Sequence, residues 1–257
     1  MAFIGSLYPK MEKINKMELH IYKTPEETMN GLATHFVKIV SAAIAEKGEC
    51  TVVLSGGNSP KKLYELLARP PYNQQIDWDH IYFFFGDERY VPFTDPDNNG
   101  AMAKKTLFDP IRIPDANIFY MNTSLPPAES AAKYSQRILT HFKKKPLQFD
   151  LVLLGLGDDA HTASLFPHTP VLKEHKALVK AVYLEDKQVN RITLTAPLIN
   201  EAHNIAFLVY GESKAKAVHE VLKGKRDIEN YPAQLIETEM GALDWFLDEA
   251  AASGIKN

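Results

Sequence analysis

The segment Gly155-Leu156-Gly157-Asp158-Asp159-Ala160-His161-Thr162-Ala163-Ser164-Leu165-Phe166-Pro167 brings two carboxylates and an imidazole together directly after the apolar run Leu151 to Leu154. An unperturbed imidazole titrates near ~6.5, so its neutral form can take a proton from water at neutral pH. A carboxylate two residues away can orient the ring and stabilise the imidazolium, which makes His161 a candidate general base and Asp159 its partner. Three other segments carry anion chemistry. In Ser55-Gly56-Gly57-Asn58-Ser59-Pro60, two glycines permit a sharp turn, Ser59 suits an N-cap and Pro60 the first helical position. The free N–H groups of a helix starting there favour a phosphate. Gly86-Asp87-Glu88-Arg89 sets three consecutive charges after the apolar Tyr82 to Phe85, as expected of residues facing a cleft. Arg191 and Lys214 lie near predicted strand ends, where either can bind phosphate oxygens, the arginine through a fork of two hydrogen bonds. Lys187 belongs to the same region.

Other chemistries lack their residues. There is no Walker A loop, GxGxxG, HExxH, CxxC or GxSxG. Asp158, Asp159 and His161 have no further ligand at a metal-binding spacing, and the nine histidines are scattered. No cofactor and no catalytic metal are expected.

The elements that must hold these loops follow from the hydropathy pattern. Thr24-Pro25-Glu26-Glu27 has the form of a capping box, opening a helix predicted to run to Lys47 and stop at Gly48. A strand over Glu18 to Tyr22 precedes it. Thr51 to Leu54, Ile81 to Phe85, Leu151 to Leu154 and Ile205 to Val209 are short, wholly apolar runs, as parallel strands buried on both faces require. Amphipathic stretches such as Lys61 to Leu67, Glu129 to Phe142 and Ser213 to Leu222 separate them. Alternating strands and helices predict an α/β fold: a mostly parallel twisted sheet with helices on both faces, in one domain over residues 17–257. A small subdomain is expected between Asp95 and Pro127, and residues 1–16 read as a loosely held extension. Ligands of such sheets bind at the carboxyl ends of the strands, where all the polar loops fall.

Composition narrows the partners. The 257 residues carry 29 basic and 32 acidic side chains, a net charge of -3 that argues against a nucleic-acid surface. A single cysteine, Cys50, cannot form an internal disulfide. No apolar run approaches the ~20 residues that span a bilayer, and the opening MAFIGSLYPKMEKINKM is charged where a secretory signal is apolar. The expectation is a cytoplasmic globular protein with a small-molecule partner, no nucleic acid and no membrane.

In their order along the chain, SGGNSP, FGDER, GLGDDAHTASLFP, RITLTAPLIN and GESKA resemble the motifs of the 6-phosphogluconolactonase family. Pro232-Ala233 and the segment Trp245 to Ala251 extend the likeness, which covers residues from about 18 to 252. The resemblance implies a phosphosugar-isomerase-like fold and hydrolysis of 6-phospho-D-glucono-1,5-lactone to 6-phospho-D-gluconate in the oxidative pentose phosphate pathway, without a cofactor. It assigns the base to His161 with Asp159 beside it, and associates Ser55, Gly56, Gly57, Asn58, Ser59, Arg89, Arg191 and Lys214 with the phosphate or the sugar. The chemistry agrees: a lactone is a reactive ester that needs a positioned water, a base, and positive charge or N–H donors at the developing oxyanion, for which Arg89 or loop N–H groups serve.

Two departures from the family pattern stand out. Ala160 replaces a glycine, at about 1 kcal/mol if the backbone there is left-handed, and Lys187-Gln188-Val189-Asn190 replaces a Lys-Pro-Pro stretch. Glucosamine-6-phosphate deaminases, a related family, place a glutamate in an Asn-Glu-Pro segment after the histidine; this chain has Leu165-Phe166-Pro167. A phosphosugar-binding regulator without catalysis would keep the SGG loop but relax the catalytic one, whereas Asp159 and His161 are both present.

Overall fold

In the computed structural model, which describes residues 16–238 and 241–255, nine strands follow one another as β1 (Lys16–Tyr22), β2 (Cys50–Leu54), β3 (Ile81–Phe85), β4 (Asp87–Arg89), β5 (Leu151–Leu154), β6 (Val179–Leu184), β7 (Val189–Leu194), β8 (Asn204–Val209) and β9 (Ala242–Asp248). Six form a sheet in the order β1-β9-β8-β5-β2-β3, with every neighbouring pair parallel. The helices are α1 (Pro25–Lys47), α2 (Asn58–Leu67), α3 (Asn99–Ala103), α4 (Asp109–Ile111), α5 (Pro127–His141), α6 (Ala196–Asn200) and α7 (Ala215–Leu222). This is the α/β architecture that the alternation predicts. Among the described residues no helix is long and apolar enough to cross a membrane. The expected N-terminal extension lies outside the described residues, apart from Lys16, which begins β1.

Local signals explain the elements that the sequence makes visible. Thr24 Oγ1 accepts the Glu27 N–H at 3.2 Å, while the Glu27 carboxylate turns back to accept the Lys23 N–H at 2.9 Å. At the other end Gly48 takes φ 80°, and its N–H returns to Ile44 O. Leu32, Phe36, Val40 and Ala43 lie on one stripe of α1 and are buried, and β2 is buried along its whole length. That is why β2 reads as an unbroken apolar run.

Other elements escaped the pattern. β9 is enclosed between β1 and β8, yet Asp244 and Asp248 interrupt its apolar character. Both carboxylates are buried and partnered: Asp244 bonds His20 Nε2 at 2.7 Å, and Asp248 accepts the N–H groups of Gly211 and Ala251. A second, antiparallel sheet in the order β4-β7-β6 was also not foreseen. Arg191, expected near a strand end, therefore stands inside β7. Residues 95–127, where a small subdomain is expected, hold α3, a π-helical turn and α4, with Leu107 and Phe108 buried in the main core.

Candidate active site

From β2 the chain moves to β3 on one side, then returns to place β5, β8 and β9 on the other, so the order reverses between β2 and β5. Crevices form at such a reversal because the flanking connections diverge. A cavity of about 430 Å³ opens there, lined by the loops after β2, β3, β5 and β8 and by β7. Ser55, Gly56, Gly57, Asn58, Ser59, Arg89, His161, Arg191 and Lys214 all line it.

The loop after β5 supplies the base candidate. His161 Nδ1 and Asp159 Oδ1 are 2.5 Å apart, and the same oxygen accepts the His161 N–H at 3.1 Å. Engaging Nδ1 leaves Nε2 as the ring's free proton acceptor. Phe166 stacks on the imidazole with centroids 4.0 Å apart and fixes its plane. Partial burial pushes the Asp159 carboxyl up, but the hydrogen bond and charge of His161 outweigh it and hold the group down at about 2. Asp159 thus stays ionised at neutral pH, its position set by the ring that it orients.

The loop has a demanding backbone. Gly157 N–H donates to His161 O at 2.8 Å, closing a tight turn. Ala160, buried at its centre, takes φ 59°, the left-handed conformation that the glycine of the family pattern would adopt freely. A Cβ on Gly157 would stand 2.0 Å from His161 Nδ1 and 2.5 Å from Asp159 Oδ1, so the pair occupies the space of the missing side chain.

Across the cavity is an anion-receptive wall. The N-cap of α2 is Gly57 at φ 101°, not Ser59 as the sequence suggests; the helix starts at Asn58, which puts Ser59 and Pro60 in its first turn. No side chain caps this end, so its leading N–H groups and helix dipole face the cavity. Gly56 admits Asn99, whose Oδ1 would lie 2.0 Å from any Cβ there. Tyr64, buried in α2, holds Ser55 from both sides, accepting its N–H and donating to its carbonyl. Arg89 in β4 is the direct register partner of Arg191 in β7. Like charges placed opposite one another repel, which an anion between them would relieve. Arg191 Nε is buried without a hydrogen-bond partner, and burial lowers the guanidinium's pKa, two signs of a donor set waiting for an acceptor.

Neighbouring residues hold Arg89 and Lys214 in place. Arg89 Nη1 donates to Asp97 O at 3.0 Å. The buried Glu88 accepts the N–H groups of Arg89, Asn99 and Gly100 at 2.7 to 2.8 Å, tying β4 to the start of α3. Burial raises its carboxyl to about 7, although these three donors pull the other way. Lys214 pairs with Asp158 at 2.6 Å. Lys187 stays outside the cavity lining, in the turn between β6 and β7, with Nζ 4.8 Å from the ring of Phe166.

Sequence reasoning passed over Gly157, Phe166, Ser164 and Asn99 as site residues, and marked Asp87 only as one of three charges facing a cleft. Ser164 Oγ donates to Asp87 Oδ2 at 2.6 Å, linking the loop after β5 to that after β3. Only the two glycines of Gly155-Leu156-Gly157 hinted at any of this, and the partners of the others are remote in the chain.

Known proteins share the sequence and the fold. The family model described as glucosamine-6-phosphate isomerases/6-phosphogluconolactonase matches residues 23–245. A 6-phosphogluconolactonase of Synechocystis sp. is 45% identical over 221 residues, covering 84% of this chain and 89% of that protein. Among solved structures, a 6-phosphogluconolactonase from Thermotoga maritima aligns with TM-score 0.79 at 30% identity, covering 91% of this chain and all of the other. One from Trypanosoma cruzi aligns with TM-score 0.84 at 25% identity, over 95% and 98% of the two chains. With a model match across most of its length and close relatives covered almost end to end, the chain belongs to the glucosamine-6-phosphate isomerase/6-phosphogluconolactonase family.

Proposed function

We propose that this protein is a cytoplasmic 6-phosphogluconolactonase that hydrolyses 6-phospho-D-glucono-1,5-lactone to 6-phospho-D-gluconate in the oxidative pentose phosphate pathway, using a base and no metal. The carrying observation is an oriented His161–Asp159 pair facing a cavity whose opposite wall presents the Arg89–Arg191 pair and an uncapped helix start. The relatives named above, which bear the same activity in their names, support the reading.

The reaction runs as follows. The phosphate sits against the loop Ser55 to Ser59 with its N–H groups from Gly56 onward, the guanidinium fork of Arg191 and the ammonium of Lys214, and this remote binding orients the ring. His161 Nε2 takes a proton from water as its oxygen bonds to the lactone carbonyl carbon, and Asp159 stabilises the imidazolium. Arg89 or loop N–H groups receive the negative charge on the carbonyl oxygen. The bond from that carbon to the ring oxygen then breaks, and the imidazolium returns its proton to the departing hydroxyl. A deaminase of the related family would need a carboxylate at Leu165-Phe166-Pro167, but Leu165 and Phe166 are buried apolar side chains there.

The test is hydrolysis of freshly generated lactone, corrected for the spontaneous rate, by wild type and His161→Ala side by side. Turnover should fall by about 10²–10⁴ in the variant. Retention of more than about a tenth would remove His161 as the base. Binding of 6-phosphogluconate without turnover by the wild type would favour the regulator.

A further inference from the structure

Away from the cavity, Glu18 and His20 of edge strand β1, His35 of α1 and Asp244 of β9 converge between α1 and the sheet, and none of them lines the active-site cavity. His20 Nε2 lies 2.7 Å from Asp244 Oδ1 and 3.9 Å from Glu18 Oε2. His35 Nε2 lies 3.6 Å from the other Asp244 oxygen and is buried with no hydrogen-bond partner. One donor atom from each of Glu18, His20 and Asp244 fits within 4.8 Å of the others.

We propose that Glu18, His20 and Asp244 form a binding site for a divalent transition-metal ion of the Zn²⁺ type, which clamps β1 onto β9. An imidazole and two carboxylates are a donor set that such ions take, with a water in the fourth position. Bonds of ~2.0–2.2 Å to a four-coordinate Zn²⁺ put neighbouring donor atoms roughly 3.3 Å apart. The separations of 2.7 and 3.9 Å from His20 Nε2 bracket that spacing, and the three donor atoms all lie within 4.8 Å of one another. The rings are already aimed: Phe246 stacks on His20 at 4.5 Å and tilts against His35 at 5.1 Å. His35 stands beside the other Asp244 oxygen at 3.6 Å, on the α1 side of the site.

The test uses the full-length protein, dialysed against a chelator and then against chelator-free buffer. Zn²⁺ binding is followed by equilibrium dialysis and by the thermal midpoint, neither of which depends on the lactonase activity. One Zn²⁺ per chain is expected, with a midpoint that rises with free Zn²⁺. His20→Gln and the exposed Glu18→Gln should each weaken binding by on the order of tenfold or more. Zn²⁺-free activity should be unchanged, and His161→Gln should bind Zn²⁺ as the wild type does. Co²⁺ in place of Zn²⁺ should give the visible absorption of a four-coordinate ion, lost in His20→Gln and in Glu18→Gln. The proposal is overturned if the wild type takes up no Zn²⁺ at micromolar concentrations, if uptake survives both His20→Gln and Glu18→Gln, or if His161→Gln abolishes it. Should His20→Gln fail to fold, Glu18→Gln and the Co²⁺ spectrum decide.

Discussion

Gly157→Ala is a one-methyl perturbation aimed at the base without touching it. Gly157 does not have a left-handed backbone, so alanine is not excluded on torsional grounds. The obstacle is space: the new Cβ would meet His161 Nδ1 at 2.0 Å and Asp159 Oδ1 at 2.5 Å. Contacts under 3.0 Å are essentially never seen for real Cβ atoms, so the imidazole must retreat by about 1 Å or the pair must separate. A misplacement of that size at a reacting group costs about 10²-fold in rate. The phosphate contacts lie across the cavity and do not move. The expected outcome is therefore a kcat reduced by about 10² with a nearly unchanged KM, in lactone hydrolysis corrected for the spontaneous reaction. The thermal midpoint, measured on the same preparation, checks that the fold persists. A variant that is folded and keeps more than a tenth of the wild-type kcat would show that the His161–Asp159 geometry is not what positions the base.

Three other perturbations probe the surroundings. Arg191→Lys keeps the charge but loses the planar fork and the donor at Nε; forfeiting a charge-assisted hydrogen bond, about 1.5 kcal/mol, should raise KM roughly tenfold with kcat largely kept. A KM within twofold of wild type would take the phosphate away from this residue. Ala160→Gly relieves a left-handed alanine worth about 1–2 kcal/mol but adds glycine entropy of roughly 0.5–1 kcal/mol and loses a buried methyl of ~0.8 kcal/mol. Stability should stay within about 1 kcal/mol of wild type and turnover should be preserved; a tenfold loss of turnover would mean that the methyl itself shapes the site. Glu88 carries a pKa raised by burial to about 7, so between its unfolded value near ~4.3 and about 7 the native state holds a proton that the unfolded chain has released. Its contribution to stability is full below that window and declines as pH rises through it, with a slope approaching ~1.4 kcal/mol per pH unit. Against Glu88→Gln, which does not titrate, the wild type should lose ground steadily from pH 5 to 7 in chemical denaturation, whatever the offset between the two proteins. A difference independent of pH would refute the raised value.

The sequence by itself determined whatever short-range physics controls. A strand buried on both faces must be apolar throughout, so β2, β3, β5 and β8 announce themselves. A capping box and a left-handed glycine bound α1 within a few residues of chain. Asp159 and His161 are two residues apart, so their pairing could be inferred from spacing, and the structure bonds them.

Tertiary structure decided whatever joins remote segments. The facing of Arg89 and Arg191 depends on the antiparallel register of β4 against β7, two short strands with no apolar run to mark them. β9 hid behind two aspartates that only their buried partners make tolerable. Gly157 looks like one loop glycine among several until the ring and carboxylate fill its vacant side. His20 and Asp244 stand 224 residues apart, and only the pairing of β1 with β9 beneath α1 sets their groups within reach of His35. Hydropathy and spacing are properties of neighbours along the chain, whereas register, close approach and ligand convergence arise only after the sheet has chosen its strand order.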